Sequence, residues 1–401
     1  MNYNLQRLLV IIGLIAIPFY ELFFKVFPFV RVIAPDTREP KELIALTFAL
    51  AIGLLAVFQG TLKPFRNKYF LILVVFLLLN LFMSPQADLF INNVQVGDMF
   101  FWKPFAKVLC FALLMFAVAS MDIDFNDILK TMAYCSFAMS IYVILQRLGF
   151  DQFWIQREGE QYLWVSGRAF GGNLGQPTLA ASFIATIIPI AFYLRKYIFG
   201  IVMFTAVVLT KSEMALIALA IVFVFYIAKS QRLLFPIIIF FILFFVIGCS
   251  LFSTNYKVRS FINDHSSGRT SVWRETFNDI KDGAISDGKQ DFSFTGVGFG
   301  RFAFIFPDKH KSNFQQTHND ILEFTYNCGL IGSGILIVGL FFMVKSAWYC
   351  NDSLPIAILL SFLTILIISF GSFPFQLGAH QFYSAVLIGL LHNNSIIRRM
   401  T

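Results

Sequence analysis

Charge is the first thing this chain has little of. Only 13% of its 401 residues are Asp, Glu, Lys or Arg, 58% are hydrophobic, and the mean hydropathy is +0.73. So little charge excludes a soluble globule, because repeated long apolar stretches leave water only by entering a bilayer. Cysteine is scarce as well. Cys110, Cys135, Cys249, Cys328 and Cys350 lie in or beside apolar runs without CxxC spacing, which excludes a zinc ribbon or a disulfide framework and leaves small packing residues. The polar segments assigned below to the outer side contain no DxD-type pair or Asp-rich cluster, so no metal and no cofactor is expected. The N-terminal run MNYNLQRLLVIIGLIAIPFYELFFKVFPFV lacks a small-x-small cleavage site and reads as a retained span. The formal charge of +8 carries no nucleic-acid signature, since the basic residues punctuate short loops.

What is present is a series of apolar runs, about 12 of them, near the length a bilayer requires. They fall at roughly 8–30, 43–60, 69–83, 101–119, 127–147, 177–194, 197–211, 213–229, 233–252, 320–344, 354–372 and 377–392, and the short pair after Arg195 can be re-entrant. The expected fold is therefore all-α, a polytopic membrane bundle with one large outer loop containing short helices. The chain divides into 1–252, with an outer segment at 148–176, then the loop 253–319, then C-terminal spans at 320–401. Arg7, Lys63, Arg66, Lys68, Arg195, Lys196, Lys229, Arg232, Lys345, Arg398 and Arg399 all fall on one side if the spans alternate. Basic residues in short loops mark the cytoplasm, so both termini are expected there.

Two segments break the apolar pattern, and both belong to the outer side by the same count. The first, GFDQFWIQREGEQYLWVSGRAFGGNLGQP, has Trp154, Tyr162 and Trp164 as an aromatic belt. Glycines then surround Arg168, Asn173 and Gln176 ahead of a helix start at Pro177. Backbone amides there can approach an anion, although glycine also merely punctuates a loop. The second segment, about 253–318, opens with Lys257, Arg259, His265, Arg269 and Arg274. Around 270–280 the periodicity predicts a short amphipathic helix with Val272, Trp273, Phe277 and Ile280 on its apolar face and Arg269 at its start. FTGVGFGRF reads as a tight turn, because no βαβ unit surrounds it to make a nucleotide loop.

The outer loop returns to the membrane through THNDILEFTYNCGLIG, from Thr317 to Gly332. Thr317 as N-cap with Asp320 three residues on predicts a helix beginning at His318. The positive helix end would hold that histidine neutral and able to accept a proton, the state of a general base. Glu323, one turn after Asn319, can orient it or meet a loop cation, and Gly329 with Gly332 predicts a close helix–helix contact. The bland alternative is an interfacial histidine satisfied by water. Lys103 and Lys107, one turn apart in WKPFAK, either snorkel to headgroups or contact substrate.

In combination and order, SGRTSVW, GVGFGRF and HNDILEFTYNCGLIG resemble the conserved region of the O-antigen ligase and O-antigen polymerase superfamily, with its His-Asn, nine residues, Gly-x-x-Gly pattern. GRAFGGNLGQP resembles the motif of the protein O-oligosaccharyltransferase branch, where Thr178 here replaces an Asn. The resemblance implies a metal-independent transfer of a glycan en bloc from undecaprenyl diphosphate to a periplasmic hydroxyl, either a lipid A core sugar or a protein Ser/Thr. It implies a bacterial inner-membrane location, membrane lipids as surroundings and no nucleic acid. His318 would deprotonate the acceptor while Arg168 and Arg269 hold the diphosphate, inverting the anomeric centre. Asn319, Gln176, Asn173, Arg259, Arg274, Glu323 and Lys107 are candidate substrate contacts. A repeat-unit polymerase with the same chemistry stays open. A transporter or flippase is the competing class, disfavoured because no paired repeat or broken-helix symmetry is visible.

Overall fold

The computed structural model describes residues 3–26, 38–60, 89–91, 94–96, 99–121, 125–148, 150, 177–231, 269–282, 294–298, 300–310, 314, 316–348 and 352–393. Within them the chain is helical: α1 (Tyr3–Val26), α2 (Arg38–Phe58), α3 (Met99–Ser120), α4 (Asn126–Arg147), α5 (Pro177–Tyr193), α6 (Tyr197–Thr210), α7 (Glu213–Gln231), α8 (Arg269–Asp282), α9 (Phe302–His310), α10 (Asp320–Trp348), α11 (Ser353–Ile368) and α12 (Gly378–Leu391). The all-α expectation misses one detail. Leu89–Ile91 and Val94–Val96 pair as an antiparallel hairpin ahead of α3. The expected spans at 69–83 and 233–252 lie outside the described residues.

Among the described residues, three helices are long and apolar enough to cross a membrane, Lys41–Phe58, Asn126–Arg147 and Asp320–Phe342, and seven shorter helices are apolar. Both surfaces of the bundle are greasy. Leu14, Ile52, Leu114, Ile184 and Ile358 are fully buried, while Leu54, Ile201, Phe223 and Phe341 face outward on helices of the same bundle. A helix hydrophobic all round suits a lipid solvent, and the chain is a multi-pass membrane protein.

The order of packing defines the bundle. α12 lies against α2, α3, α1 and α11, while α5 lies against α4, α6 and α11. Polar bonds within this interior are few and specific. Ser182 Oγ on α5 meets His380 Nε2 on α12 at 2.6 Å, and Tyr383 donates to the Leu14 carbonyl at 2.8 Å. At one end Asn393 Nδ2 caps α3 by donating to the carbonyls of Val118, Ala119 and Met121, and Arg7 pairs with Asp127 on the first turn of α4. The opposite end gathers the starts of α2, α3, α10 and α12.

Helix boundaries follow local chemistry. Pro177 opens α5 as expected, since its missing N–H costs nothing in a first turn. Asp352 caps α11 by accepting from Leu354 N at 3.1 Å. The apolar run read as 354–372 ends its helix at Ile368, because residues 369–377 turn through a 3-10 segment at Pro374–Gln376.

A second, smaller core lies beside the bundle. Val272 and Ile280 of α8, Val297, Phe302 and Phe306 of α9, and Tyr326 of α10 form it. α8 is amphipathic as expected, with one correction. Thr276 and Asp279 are buried beside Val272 and Ile280, whereas Phe277 is 59% exposed. Asp279 turns inward because it has partners, accepting from Lys309 Nζ at 2.7 Å and meeting His310 Nε2 at 2.9 Å.

Candidate active site

The turn before α10 departs from the capping pattern expected of it. The helix begins at Asp320, and its N-cap is Asn319, whose Oδ1 accepts from Leu322 N at 3.0 Å while its carbonyl accepts from Glu323 N. Thr317 stands two residues further out. Its hydroxyl accepts from Asn319 N at 3.0 Å and donates to Asn319 O at 2.7 Å, closing a local turn of its own. His318 is therefore not in the first helical turn. It sits at the turn's apex with φ 54°, left-handed backbone that a residue with a Cβ rarely adopts. Two aromatic edges fix its ring, Phe373 with centroids 4.9 Å apart and Phe314 at 6.4 Å.

Glu323 also differs from its expected role. Its carboxylate reaches back past Asn319 and accepts from Thr317 N at 3.0 Å. On the far side of the same turn, Trp273 Nε1 of α8 donates to Thr317 O at 2.6 Å. Arg269 lies one helical turn before Trp273, hence on the same face of α8. Its guanidinium is half-buried, and that burial lowers its pKa from the usual arginine value. Among the described residues no carboxylate pairs with it. A partly dehydrated arginine near a histidine turn is suited to an incoming anion, because the attraction is weakly screened there. Arg274 lies on the exposed side of α8.

Asp320 anchors the turn to the bundle. Its N–H donates to Ser369 O at 2.9 Å, and its carboxylate accepts from Phe375 N at 2.8 Å and from Gln376 Nε2 at 3.3 Å. Beside it opens a cavity of about 540 Å³. One wall carries Lys41, Glu42 and Lys107, another Gln316, Asp320, Glu323 and Gln376, and the deeper part is lined by Leu336, Leu340, Phe362 and Leu366. Lys107 pairs with Glu42 rather than snorkelling away from the protein, and both side chains are mostly buried. His318 and Arg269 do not line this cavity, although Phe373 lies between His318 and it.

Of the residues singled out from sequence, the structure thus brings His318, Asn319 and Glu323 to one turn, Arg269 to the face of α8 that bonds to this turn through Trp273, and Lys107 to the neighbouring cavity. Arg168, Asn173, Gln176 and Arg259 lie outside the described residues. Sequence alone makes Trp273 an apolar-face residue and Thr317 a cap, and does not show the bond by which they join α8 to the histidine turn. Glu42 gave no signal, being remote in sequence from the lysine it pairs with. No group of His, Cys, Asp and Glu able to hold a metal occurs among the described residues.

The glycine motifs meet in a single joint. Gly329 interrupts α10 with φ 68° and ψ −177°, and the FTGVG turn docks into the gap. Val297 N donates to Tyr326 O at 3.2 Å, Gly298 N to Asn327 O at 2.8 Å, and Ile331 N to Phe294 O at 3.1 Å. These bonds satisfy groups that the break strips of helical partners. Gly329 therefore serves a loop contact rather than the expected helix–helix approach. Asn327 extends the joint by accepting from Phe302 N at 3.2 Å, which seats the start of α9.

A protein-family model matches part of the chain. The O-antigen ligase family model aligns with residues 198–337, about a third of the chain, from α6 through α7, α8 and α9 to the middle of α10. No curated protein matches the chain. The matched span holds the histidine turn, the helix bearing Arg269 and the glycine joint, and over that span the chain is similar to the O-antigen ligase family.

Proposed function

We propose that this protein is a metal-independent, inverting glycan ligase that moves a glycan en bloc from undecaprenyl diphosphate to a hydroxyl at the periplasmic face of the inner membrane. The acceptor is a lipid A core sugar or a protein Ser/Thr. The observation that carries the reading is the Trp273–Thr317 bond within the family match, since it ties the Arg269 helix to the His318 turn.

The chemistry follows from those groups. Transfer breaks the bond between the anomeric carbon and the diphosphate oxygen and leaves charge on phosphate. A guanidinium meets that charge with paired N–H donors, and Arg269 supplies one such fork. Arg168, outside the described residues, is the second proposed cation. His318 takes the proton of the acceptor hydroxyl as oxygen attacks the face opposite the diphosphate, which inverts the centre. Asn319, with its side chain committed to the α10 cap, holds the turn, while Lys107 and the cavity beside Glu323 offer polar contacts to sugar.

His318→Ala should abolish transfer while the protein stays in the membrane at normal abundance; near-normal transfer would remove His318 from the role. A polymerase reading shares the family match and the chemistry. Glycan laddering separates the two, because loss of a ligase leaves long chains on the carrier lipid, whereas loss of a polymerase leaves single repeats on the final acceptor.

A further inference from the structure

Thr317 is fully buried, and every polar atom it has is held. The N–H goes to Glu323, the carbonyl to Trp273, and the hydroxyl to both backbone groups of Asn319. With water excluded, none of these bonds can be exchanged cheaply. What they deliver is the next residue, His318, in a left-handed conformation that persists only where its surroundings over-determine it. The two sources of restraint are independent in sequence. Glu323 belongs to the helix that follows the turn, and Trp273 to a helix more than forty residues earlier.

We propose that Glu323 and Trp273 are positioning residues for His318. Glu323 sets the turn from α10, and Trp273 fixes its separation from α8 and so from Arg269. The proposal rests on the transferase reading for its kinetic consequences, and it gives Glu323 a supporting place in that reaction instead of a contact with sugar. Toward Thr317 the carboxylate is only a hydrogen-bond acceptor, of the N–H at 3.0 Å and of the hydroxyl at 3.4 Å, a task an amide oxygen performs equally well, and Gln376 is its further side-chain partner. Toward Thr317 the Trp273 indole is only a donor, a task the smaller, flat and apolar phenyl ring cannot perform.

The test compares Glu323→Gln, Glu323→Ala and Trp273→Phe in the full-length protein reconstituted in liposomes. Glu323→Gln is expected to keep kcat within about threefold of wild type, while Glu323→Ala lowers it by roughly a hundredfold at unchanged donor KM, as a displaced catalytic group does. Trp273→Phe is expected to lower kcat by about tenfold, the loss of one hydrogen bond that holds the turn. A second measurement needs no turnover: carbethoxylation of His318 by diethyl pyrocarbonate, read by mass spectrometry of its peptide. That rate should rise in Glu323→Ala and Trp273→Phe and stay at the wild-type value in Glu323→Gln. Glu323→Gln falling as far as Glu323→Ala would overturn the proposal, since it would show a need for charge. So would wild-type kcat and unchanged His318 modification in Trp273→Phe, a variant close enough in shape to fold if Glu323→Ala does not. Absence of transfer by the wild-type protein would instead sink the transferase reading, and the modification rates would still decide the positioning role.

Discussion

Replacing Gly329 by alanine tests the helix joint directly. The new Cβ would overlap the Phe294 carbonyl and lie 2.5 Å from Gly296 N, so both obstructing groups are backbone and neither can swing aside. Holding alanine at φ 68°, ψ −177°, a region open to essentially glycine alone, costs about 1–3 kcal/mol by itself. Relieving the overlap requires the turn at 294–298 to leave, which forfeits three backbone hydrogen bonds at about 1 kcal/mol each. The combined loss is about 4–6 kcal/mol, a large share of the stability of a small domain. Gly334 and Gly339 in the same helix serve as controls, because nothing lies within 4 Å of a Cβ added there. Alanine at those positions should be neutral or gain about 0.5–1 kcal/mol of helix propensity. The assay is limited proteolysis of purified protein in detergent, following cleavage between α8 and α9, together with the midpoint of thermal aggregation. Gly329→Ala should be cut much faster and aggregate at lower temperature, with Gly334→Ala matching wild type. If Gly329→Ala and Gly334→Ala behave alike, the docked joint is not what holds this helix.

Arg269→Lys keeps the charge but loses the paired donors, so KM for the lipid-linked donor should rise by about tenfold or more, with Arg269→Ala worse; equal KM in all three proteins would argue against diphosphate capture. Lys107→Met should destabilise the protein by about 3–5 kcal/mol, because it strands the mostly buried Glu42. Adding Glu42→Gln to it should recover much of that loss, which thermal-shift measurement of the single and double variants will show, and a double variant no better than the single would deny the pair its coupling.

Much of the bundle was readable because its period and its boundaries are local properties. The apolar runs 127–147, 213–229 and 377–392 correspond to α4, α7 and α12 within about two residues, since length and hydropathy fix a span without reference to its neighbours. The turn at His318 was harder. Thr317 and Asp320 form a plausible capping pair, but Asn319 and Leu322 stand in an equivalent spacing, and the choice between them is made by Glu323 and by a tryptophan in another helix. The break at Gly329 is likewise invisible in its own segment, where two glycines three apart read as a helix contact. It exists because Phe294 to Gly298 supply the missing backbone partners, and such pairing across the fold leaves no periodic trace. The ion pair of Glu42 and Lys107 has the same character, each residue alone being an ordinary charge near the start of a span.

The clasp made by Asp320 bears on how genetic data from this protein will read. Because its amide and carboxylate hold Ser369, Phe375 and Gln376, a displacement of the link between α11 and α12 is passed directly to the histidine. A mutational scan scored on product alone will therefore flag positions near Phe373 to Gln376 as strongly as those that touch the donor. Only a companion measurement of folded protein in the membrane will sort the mechanical defects from the chemical ones.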